Sequence, residues 1–301
     1  MPPFHSVLCA VDFSDESRNA LRWAVALAAR SRGSVTVLNA VEPLLAHAAQ
    51  ARYGIELATA EVQPALREFV AATMPKDAPW LPAVTCDVIV GEAPRTILDA
   101  ANRRRADLIV VGTRGLGGLS KFVLGSTTER VLRETAVPVL AVPGEAVSAA
   151  LEASGPTLTI GLVLAAADFS DASGRAVQQA AELAASFSAP LVIVHAIAPV
   201  AALSRWQPYA ELAGPARVPE TRERLEHWLM NLPTPVRGEL VVTVGRPADA
   251  ITAAAADRGA GMIVMGLIAE DAVAAPRPGS VAYQVLSTAR TPVFVVAPGG
   301  R

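Results

Sequence analysis

The sequence contains little cysteine and no long apolar run, and each lack excludes a class of protein. Its two cysteines, Cys9 and Cys86, fall in short apolar runs, where a buried thiol is expected rather than a disulfide or a metal pair. No run of about eighteen apolar residues occurs, and no basic and apolar leader opens the chain. We therefore expect a cytoplasmic protein that lies in a reducing compartment and does not bind membranes.

The sequence also lacks an excess of basic charge. It has 26 basic and 28 acidic residues, without the basic surplus that is typical of nucleic-acid binding. With 52% hydrophobic and 18% charged residues, the chain can bury sizeable cores. Its 301 residues correspond to about two domains. The composition thus predicts a globular protein with no nucleic-acid partner.

Two common phosphate-binding motifs are absent as well. No GxxxxGK followed by Ser or Thr occurs, which excludes a P-loop. The GxGxxG fingerprint is missing from the first strand–helix turn, where a dinucleotide-binding domain would need it.

A different glycine-rich stretch follows a short apolar strand pattern. Gly112 and Gly115 can adopt a positive φ and let a ligand approach the backbone, because no Cβ stands in the way. Gly125 and Ser126 open a helical pattern whose first N–H groups lack intrahelical partners and suit an anion. The hydroxyls of Ser126 and Thr127 add donors. The pattern predicts a triphosphate site; the alternative is a surface loop in which the glycines only permit turns.

The chain contains an internal repeat. Residues 11–17, Val-Asp-Phe-Ser-Asp-Glu-Ser, return over 167–173 as Ala-Asp-Phe-Ser-Asp-Ala-Ser, and the spacing of the glycine-rich stretch returns over 266–280. One unit has therefore been used twice. We expect domains over 1–145 and 157–301, joined by a linker over 146–156.

Each repeat alternates apolar strand patterns with helical ones. Such runs are typical of strands covered on both faces, and therefore of a parallel, doubly wound α/β sheet. In the flavodoxin-like form of this Rossmann-like class, five strands run in the order 3-2-1-4-5, and the ligand lies at the carboxyl ends of the first and fourth. In the first repeat, strands are predicted over 7–11, 35–41, 84–90, 108–111 and 137–142, and helices over 15–30, 44–73, 94–104 and from 126.

Asp12 lies at the end of the first predicted strand, so its carboxylate is expected to face the same crevice as the glycine-rich stretch. A carboxylate there can accept hydrogen bonds from ribose hydroxyls. The alternative is a helix cap, because Asp12, Ser14 and Asp15 all precede a helix. Ser14 or Asp15 is the better cap, which leaves Asp12 to face the ligand.

The spacing Gly112-x2-Gly115-x9-Gly125-Ser126 resembles the ATP-binding signature of the universal stress protein family. The whole chain is similar to two such domains in tandem. The resemblance implies ATP as the cofactor, with any Mg²⁺ held through the phosphates. It also implies that Asp12 binds the ribose and that the main chain of Val41 holds the adenine.

The resemblance further implies how the two domains associate. Members of the family commonly pair through the last strand of each domain. Here strands over 137–142 and 293–296 would pair within the chain to give a pseudo-dimer, which would bury two otherwise exposed edges. Association of two chains into a homodimer stays open.

The second copy of the motif departs from the first. It reads Gly266-x2-Ala269-x9-Gly279-Ser280, and Ala269 cannot adopt a positive φ without strain. Acidic residues follow directly and would repel phosphates, while prolines stiffen the approach to Gly279; these residues are Glu270, Asp271, Pro276 and Pro278. We expect the first site to bind ATP and the second to bind it weakly or not at all. The weaker candidates are Asp168, Ile197, Gly266, Gly279 and Ser280.

Catalytic groups are not expected near the glycine-rich stretch. Hydrolysis of ATP needs an activated water and a base or orienting residue, and the four histidines fall elsewhere in the sequence, at His5, His47, His195 and His227. The leading hypothesis is therefore a nucleotide-dependent regulator in stress or growth adaptation that acts on an unidentified protein partner. The competing hypotheses are an association scaffold and a slow ATPase.

Overall fold

The computed structural model divides the chain into two compact units, Pro3–Thr159 and Ile160–Pro298, called the N-terminal and C-terminal units below. It describes residues 4–76, 78–114, 124–144, 146, 150–152, 155–199, 214–267 and 280–297. No helix within these ranges is both long enough and apolar enough to cross a bilayer.

The N-terminal unit is a parallel sheet with helices between its strands, as predicted. The strands are β1 (Ser6–Ala10), β2 (Ser34–Val41), β3 (Ala83–Val90), β4 (Leu108–Gly112) and β5 (Val139–Val142). Their order across the sheet is β3-β2-β1-β4-β5, and every pair is parallel. The helices are α1 (Asp15–Arg30), α2 (Pro43–Tyr53), α3 (Gln63–Thr73), α4 (Ala93–Arg104) and α5 (Ser126–Glu134). A π-helical turn, Ala58–Val62, precedes α3.

Two short antiparallel strands, β6 (Ala150–Glu152) and β7 (Gly155–Thr157), lie within or next to the segment predicted as a linker. The predicted boundaries at 145 and 157 stay a prediction.

The C-terminal unit repeats the same architecture. Its strands are β8 (Val163–Ala166), β9 (Leu191–Ile197), β10 (Glu239–Val244), β11 (Met262–Gly266) and β12 (Val293–Val296). Their order is β10-β9-β8-β11-β12, again with parallel pairing throughout. The helices are α6 (Asp171–Phe187), α7 (Val218–Met230), α8 (Pro247–Asp257) and α9 (Val281–Thr288). The sequence prediction of two doubly wound α/β units is confirmed, while the pseudo-dimer stays a prediction.

The core of each unit lies between the central strands and the helices that cover them. In β1, Leu8 and Cys9 are fully buried, as expected for a strand covered on both faces. Burial raises the pKa of the Cys9 thiol, so this cysteine packs as a small apolar side chain. Helix α1 lies on β1 and β4 and buries a face of small and apolar residues at helical spacing: Ala20, Leu21, Ala24, Leu27 and Ala28.

A side chain from a neighbouring helix covers a carbonyl of the outermost strand in each unit. Gln63 of α3 donates from Nε2 to the carbonyl of Cys86 in β3 at 3.0 Å. Arg222 of α7 donates from Nη2 to the carbonyl of Leu240 in β10 at 3.0 Å. Outer strands otherwise present unpaired backbone groups to other chains, so these side chains shield part of each edge.

Candidate functional site

The strand order places the ends of β1 and β4 side by side. The two strands pair from Val7 with Leu108 to Cys9 with Val110. After β1 the chain turns through Asp12 into α1, and after β4 it passes through the glycine-rich stretch into α5. The predicted site residues Asp12 and Gly112 therefore lie at one edge of the sheet, where the strand order reverses.

Asp12 shapes the turn that opens α1. Its Oδ1 accepts hydrogen bonds from the backbone N–H of Ser14 at 3.1 Å and from the Ser14 hydroxyl at 2.5 Å. The Ser14 oxygen in turn accepts from the N–H of Ser17 at 3.2 Å, which makes Ser14 the N-cap of α1. The prediction that Ser14 or Asp15 caps the helix is confirmed for Ser14. Asp12 is half-buried, and its carboxylate is held by the cap residue.

Phe13 has a positive φ of 68°, and Phe169 of the C-terminal unit has the same value. This conformation is strained for a bulky residue, at about 1–3 kcal/mol, and persists only where the surroundings enforce it. The ring of Phe13 packs edge-on against Phe69 of α3, with centroids 5.6 Å apart. The repetition of Asp-Phe-Ser in the sequence indicated that this turn matters, but it did not predict the positive φ of the phenylalanine.

Asn39 is a buried polar residue that the sequence analysis missed. Its Nδ2 donates to the carbonyl of Val11 at 2.9 Å, across from β2 to the end of β1. A buried carbonyl without a partner is costly, so Asn39 fixes the backbone directly before Asp12. Its position inside an apolar strand pattern was the available signal.

Val41 ends β2 and is buried. Its carbonyl accepts a hydrogen bond from the N–H of Gly91 at 2.9 Å. Ile197 is placed in the same way in the C-terminal unit, where its carbonyl accepts from the N–H of Gly245 at 3.0 Å. Both residues therefore lie at the edge of the sheet where the site is predicted. The carbonyl of each already accepts one hydrogen bond.

The conformation expected of Gly112 is wrong. The glycines with positive φ in the described part of the chain are Gly54, Gly155 and Gly259. A Cβ on Gly112 would stand 3.1 Å from the carbonyl oxygen of Arg114 and 3.1 Å from the Cβ of Glu16. A Cβ here would be crowded, so glycine eases the close packing of α1 against the end of β4.

The same correction applies to Gly266. A Cβ there would stand 2.5 Å from the backbone carbon of Ala172 and 3.1 Å from the N–H nitrogen of Ser173, which backbone atoms do not tolerate. In both units the first glycine of the motif lets the first helix of the unit, α1 or α6, approach the strand end.

The start of α5 is anchored to the end of β4. Gly125 is the N-cap, with φ −62° and ψ 138°, and no side chain caps this helix among the described residues. The N–H of Gly125 donates to the carbonyl of Thr113 at 2.9 Å, and the Thr128 hydroxyl donates to the carbonyl of Gly112 at 2.8 Å. The first turn, with exposed Ser126 and half-buried Thr127, therefore presents N–H groups to an anion.

Several predicted residues lie outside the described part of the chain. They are Gly115 in the first motif, and Ala269, Glu270, Asp271, Pro276, Pro278 and Gly279 in the second. Their predicted roles stay predictions.

In the C-terminal unit Asp168 repeats the arrangement of Asp12. Its Oδ1 accepts from the N–H of Ser170 at 3.0 Å and from the Ser170 hydroxyl at 2.5 Å. Partial burial alone would raise its pKa, but hydrogen bonds from Ser170 and Ser173 and the nearby His195 outweigh burial and lower the pKa below its ordinary value. Asp168 is therefore ionised at neutral pH.

His195 takes the place that Asn39 has in the N-terminal unit. Its Nδ1 lies 2.8 Å from the carbonyl oxygen of Ala167. Because a carbonyl only accepts, Nδ1 carries the proton. The ring packs against Phe169 with centroids 4.7 Å apart. The sequence placed His195 away from the first glycine-rich stretch and gave no indication that it lies beside Asp168.

The two helices that follow the glycine motifs begin differently. Ser280 is the N-cap of α9, and its hydroxyl accepts from the N–H of Tyr283 at 3.2 Å. Its counterpart Ser126 lies inside α5, behind the glycine cap. One donor of the first turn is thus used internally in α9.

A cavity of about 210 Å³ opens at the site edge of the C-terminal unit. It brings together Asp168, Gly266 and Ser280 from the predicted set, together with His195. Its apolar lining comes from β11, α8 and α9 and includes Ile251, Met265, Leu267 and Val281.

The chain thus consists of two parallel, doubly wound α/β units. In each unit a turn of aspartate, phenylalanine and serine leads from the first strand into the first helix. The universal stress protein family model matches residues 3–143 and 160–297. The chain belongs to the universal stress protein family and carries two of its domains in tandem.

Similar proteins agree with this assignment, and two of them match nearly the whole chain. A universal stress protein of Mycolicibacterium smegmatis is 28% identical over 98% of this chain and 97% of its own length. A universal stress protein of Thermus aquaticus is 30% identical and matches 46% of this chain with 98% of its own length. The crystal structure of a universal stress protein from Archaeoglobus fulgidus covers 98% of this chain and 97% of its own, at a TM-score of 0.61 and 20% identity. That likeness shows the fold.

Proposed function

We propose that the chain is an ATP-binding regulator whose N-terminal unit holds the nucleotide. The observation that carries the proposal is the open start of α5, where no described side chain caps the helix. It stands at the end of β4, next to the turn that contains Asp12. An anion bound at such a helix start is stabilised by free N–H groups and by the helix dipole.

In this proposal the phosphates lie on the backbone of Gly115, Gly125, Ser126 and Thr127, with any Mg²⁺ held through them. Gly112 serves indirectly, because it lets α1 pack against the end of β4 beside the phosphates.

The nucleoside lies toward β1 and β2. Asp12 accepts from the ribose hydroxyls beside the hydrogen bonds that it takes from Ser14, since a carboxylate offers about four acceptor sites. The base lies against the main chain of Val41, whose carbonyl already accepts from Gly91. A base at this position would use the N–H of Val41 or share the carbonyl.

The C-terminal unit is proposed to bind ATP weakly or not at all. Ser280 caps α9 with its own hydroxyl, which removes one donor from the phosphate site. The acidic pair Glu270 and Asp271 follows the motif in the sequence and would repel a triphosphate.

The protein is proposed to act through binding rather than turnover. ATP hydrolysis needs a base or orienting residue near the phosphates. The histidine next to a site, His195, belongs to the C-terminal unit and is bonded to a backbone carbonyl. Bound ATP would order the glycine-rich stretch and α5, and the altered surface would change the affinity for an unidentified cytoplasmic protein partner.

Calorimetric titration of the full chain with ATP and magnesium tests the proposal. We expect a single ATP per chain for the wild type, and loss of that binding in Gly115→Glu and in Asp12→Ala. The matched control is Asp15→Ala, which removes an exposed carboxylate from the first turn of α1 and should leave ATP binding unchanged. Absence of ATP binding by the wild type would refute the proposal.

A further inference from the structure

We propose that the cavity of the C-terminal unit is a separate site that binds an uncharged ribonucleoside in preference to a nucleoside phosphate. The inference rests on the proposed function, because it gives Asp168 the ribose role that Asp12 has in the N-terminal unit. It goes beyond that function by assigning a second ligand class to the same chain.

The cavity has the dimensions of a small ligand site. At about 210 Å³ it lies below the range of about 300–1,000 Å³ that is typical of drug-sized ligands. Apolar side chains line it from both sides, from Ile251 on α8 and from Met265 on β11. Such walls favour a flat, weakly polar ring system over a hydrated polyanion.

The charge in the cavity opposes a phosphate. Among the described residues that line it, Asp168 and His195 are the titratable ones, and neither lysine nor arginine is present. Arg224 of α7 stacks on Phe169 with its guanidinium carbon 4.3 Å from the ring centre and is not among the lining residues. Among the described lining residues, a nucleoside phosphate would therefore meet an ionised carboxylate and neither lysine nor arginine.

At the start of α9, which borders this cavity, one of the free backbone N–H groups already has a partner. The Ser280 hydroxyl accepts from the N–H of Tyr283, whereas the first turn of α5 is preceded by a glycine cap without a side-chain acceptor. Anion binding at helix starts depends on free N–H groups. The C-terminal unit thus retains the aspartate that would bind the ribose, but it has fewer free N–H groups for phosphates.

The polar groups that remain match a ribonucleoside. Asp168 can accept about four hydrogen bonds; Ser170 donates twice to Oδ1 and Ser173 also bonds to the carboxylate, which leaves acceptor capacity for a further hydroxyl. His195 donates from Nδ1 to Ala167, which leaves Nε2 as the ring nitrogen that can bond to a ligand. In the tautomer with its proton on Nδ1, Nε2 can accept from an amino group of a base such as adenine.

The test uses variants of the full chain that separate the two sites. Asp12→Asn impairs the N-terminal site and Asp168→Asn the C-terminal one. Asparagine keeps the side-chain oxygen that the serine N–H groups need, so both turns should survive. The probes for calorimetry are adenosine, 2′,3′-dideoxyadenosine and ATP with magnesium.

We expect Asp12→Asn to bind adenosine at least about tenfold more tightly than dideoxyadenosine, since the latter lacks the hydroxyls that would bond to a charged acceptor. The same variant should bind ATP more weakly than adenosine, and the double variant should bind neither. No adenosine binding by Asp12→Asn would overturn the inference, and so would ATP binding as tight as that of adenosine. The proposed function fails separately, if Asp168→Asn does not bind ATP.

A cavity-filling pair provides an independent measurement. Ala282 of α9 lines the cavity, whereas Ala253 of α8 is exposed. Ala282→Leu in the Asp12→Asn background should abolish adenosine binding, and Ala253→Leu should retain it. Circular dichroism checks that both variants are folded. Retained adenosine binding in a folded Ala282→Leu variant would contradict the proposed location.

Discussion

Asn39 and His195 donate hydrogen bonds to equivalent backbone carbonyls in the two units. Asn39 does so through its side-chain amide and His195 through its imidazole. Nδ2 of Asn39 lies 2.9 Å from the Val11 oxygen, and Nδ1 of His195 lies 2.8 Å from the Ala167 oxygen. Each donor reaches from the second strand of its unit to the residue before the site aspartate. Two different side chains thus serve one backbone requirement.

Removal of the Asn39 donor should destabilise the N-terminal unit. In Asn39→Leu the Val11 carbonyl would lose its partner in a buried setting, with an expected loss of about 1–3 kcal/mol in the free energy of unfolding. Asn39→His should recover most of this, because the imidazole performs the same task in the other unit. Urea denaturation measures both, and equal stability of Asn39→Leu and wild type would show that the hydrogen bond is unimportant.

Alanine should be tolerated poorly at Gly266 and better at Gly112. The added Cβ would press into backbone atoms of Ala172 at Gly266, but would stand 3.1 Å from its neighbours at Gly112. We expect Gly266→Ala to lower the free energy of unfolding by about 1–3 kcal/mol. The control is Gly245→Ala, since a Cβ at that position has open space around it. A Gly266→Ala variant as stable as this control would contradict the packing argument.

The serine caps of α1 and α6 should contribute equally to stability. Ser14 and Ser170 accept from the third N–H of their helices at 3.2 and 3.1 Å. Ser14→Ala and Ser170→Ala should each cost about 1 kcal/mol, and threonine should cost less at both positions. Thermal unfolding followed by circular dichroism provides the measurement. A loss confined to one of the two helices would mean that the repeated turns differ in energy.

Two aspartates should give the stability opposite dependences on pH. The pKa of Asp168 is lowered in the folded state, so its contribution is present above its ordinary pKa and is lost as the pH falls through the lowered value. The pKa of Asp107 is raised, first by burial and against the hydrogen bonds from the N–H groups of Ser6 and His5. Its ionisation therefore opposes folding, and the penalty grows as the pH rises from its ordinary pKa through the raised one.

Unfolding measured across pH 3–7, the range in which carboxyl groups titrate, checks both signs. Asp168→Asn should be less stable than wild type at neutral pH, with the difference shrinking in acid. Asp107→Asn should gain stability relative to wild type as the pH rises. A pH-independent difference for either variant would show that its charge is not responsible.

The sequence allowed the architecture to be predicted because strand burial leaves a simple pattern. Apolar runs such as residues 35–41 and the helical spacing of alanines in α1 predicted the parallel sheets and their covering helices. Ser14 followed from cap chemistry. The positive φ of Phe13 was not predicted, because a bulky residue rarely adopts it. The role of Asn39 was not predicted either, because its hydrogen-bond partner lies on another strand.

The reason for Gly112 could not be read from the sequence either. A glycine that makes room for a ligand and a glycine that makes room for a helix look the same in a sequence. The distances from a hypothetical Cβ separate the two cases.

That packing role bears on what the glycine motif indicates. Close approach of a helix favours glycine at Gly266, and to a lesser degree at Gly112, whether or not a ligand is bound. The first glycine of the motif is therefore weak support for nucleotide binding by the domain that carries it. Both halves carry Gly-Ser at the helix start, so the two starts differ in conformation rather than in sequence: one helix begins at Ser126 and the other at Val281.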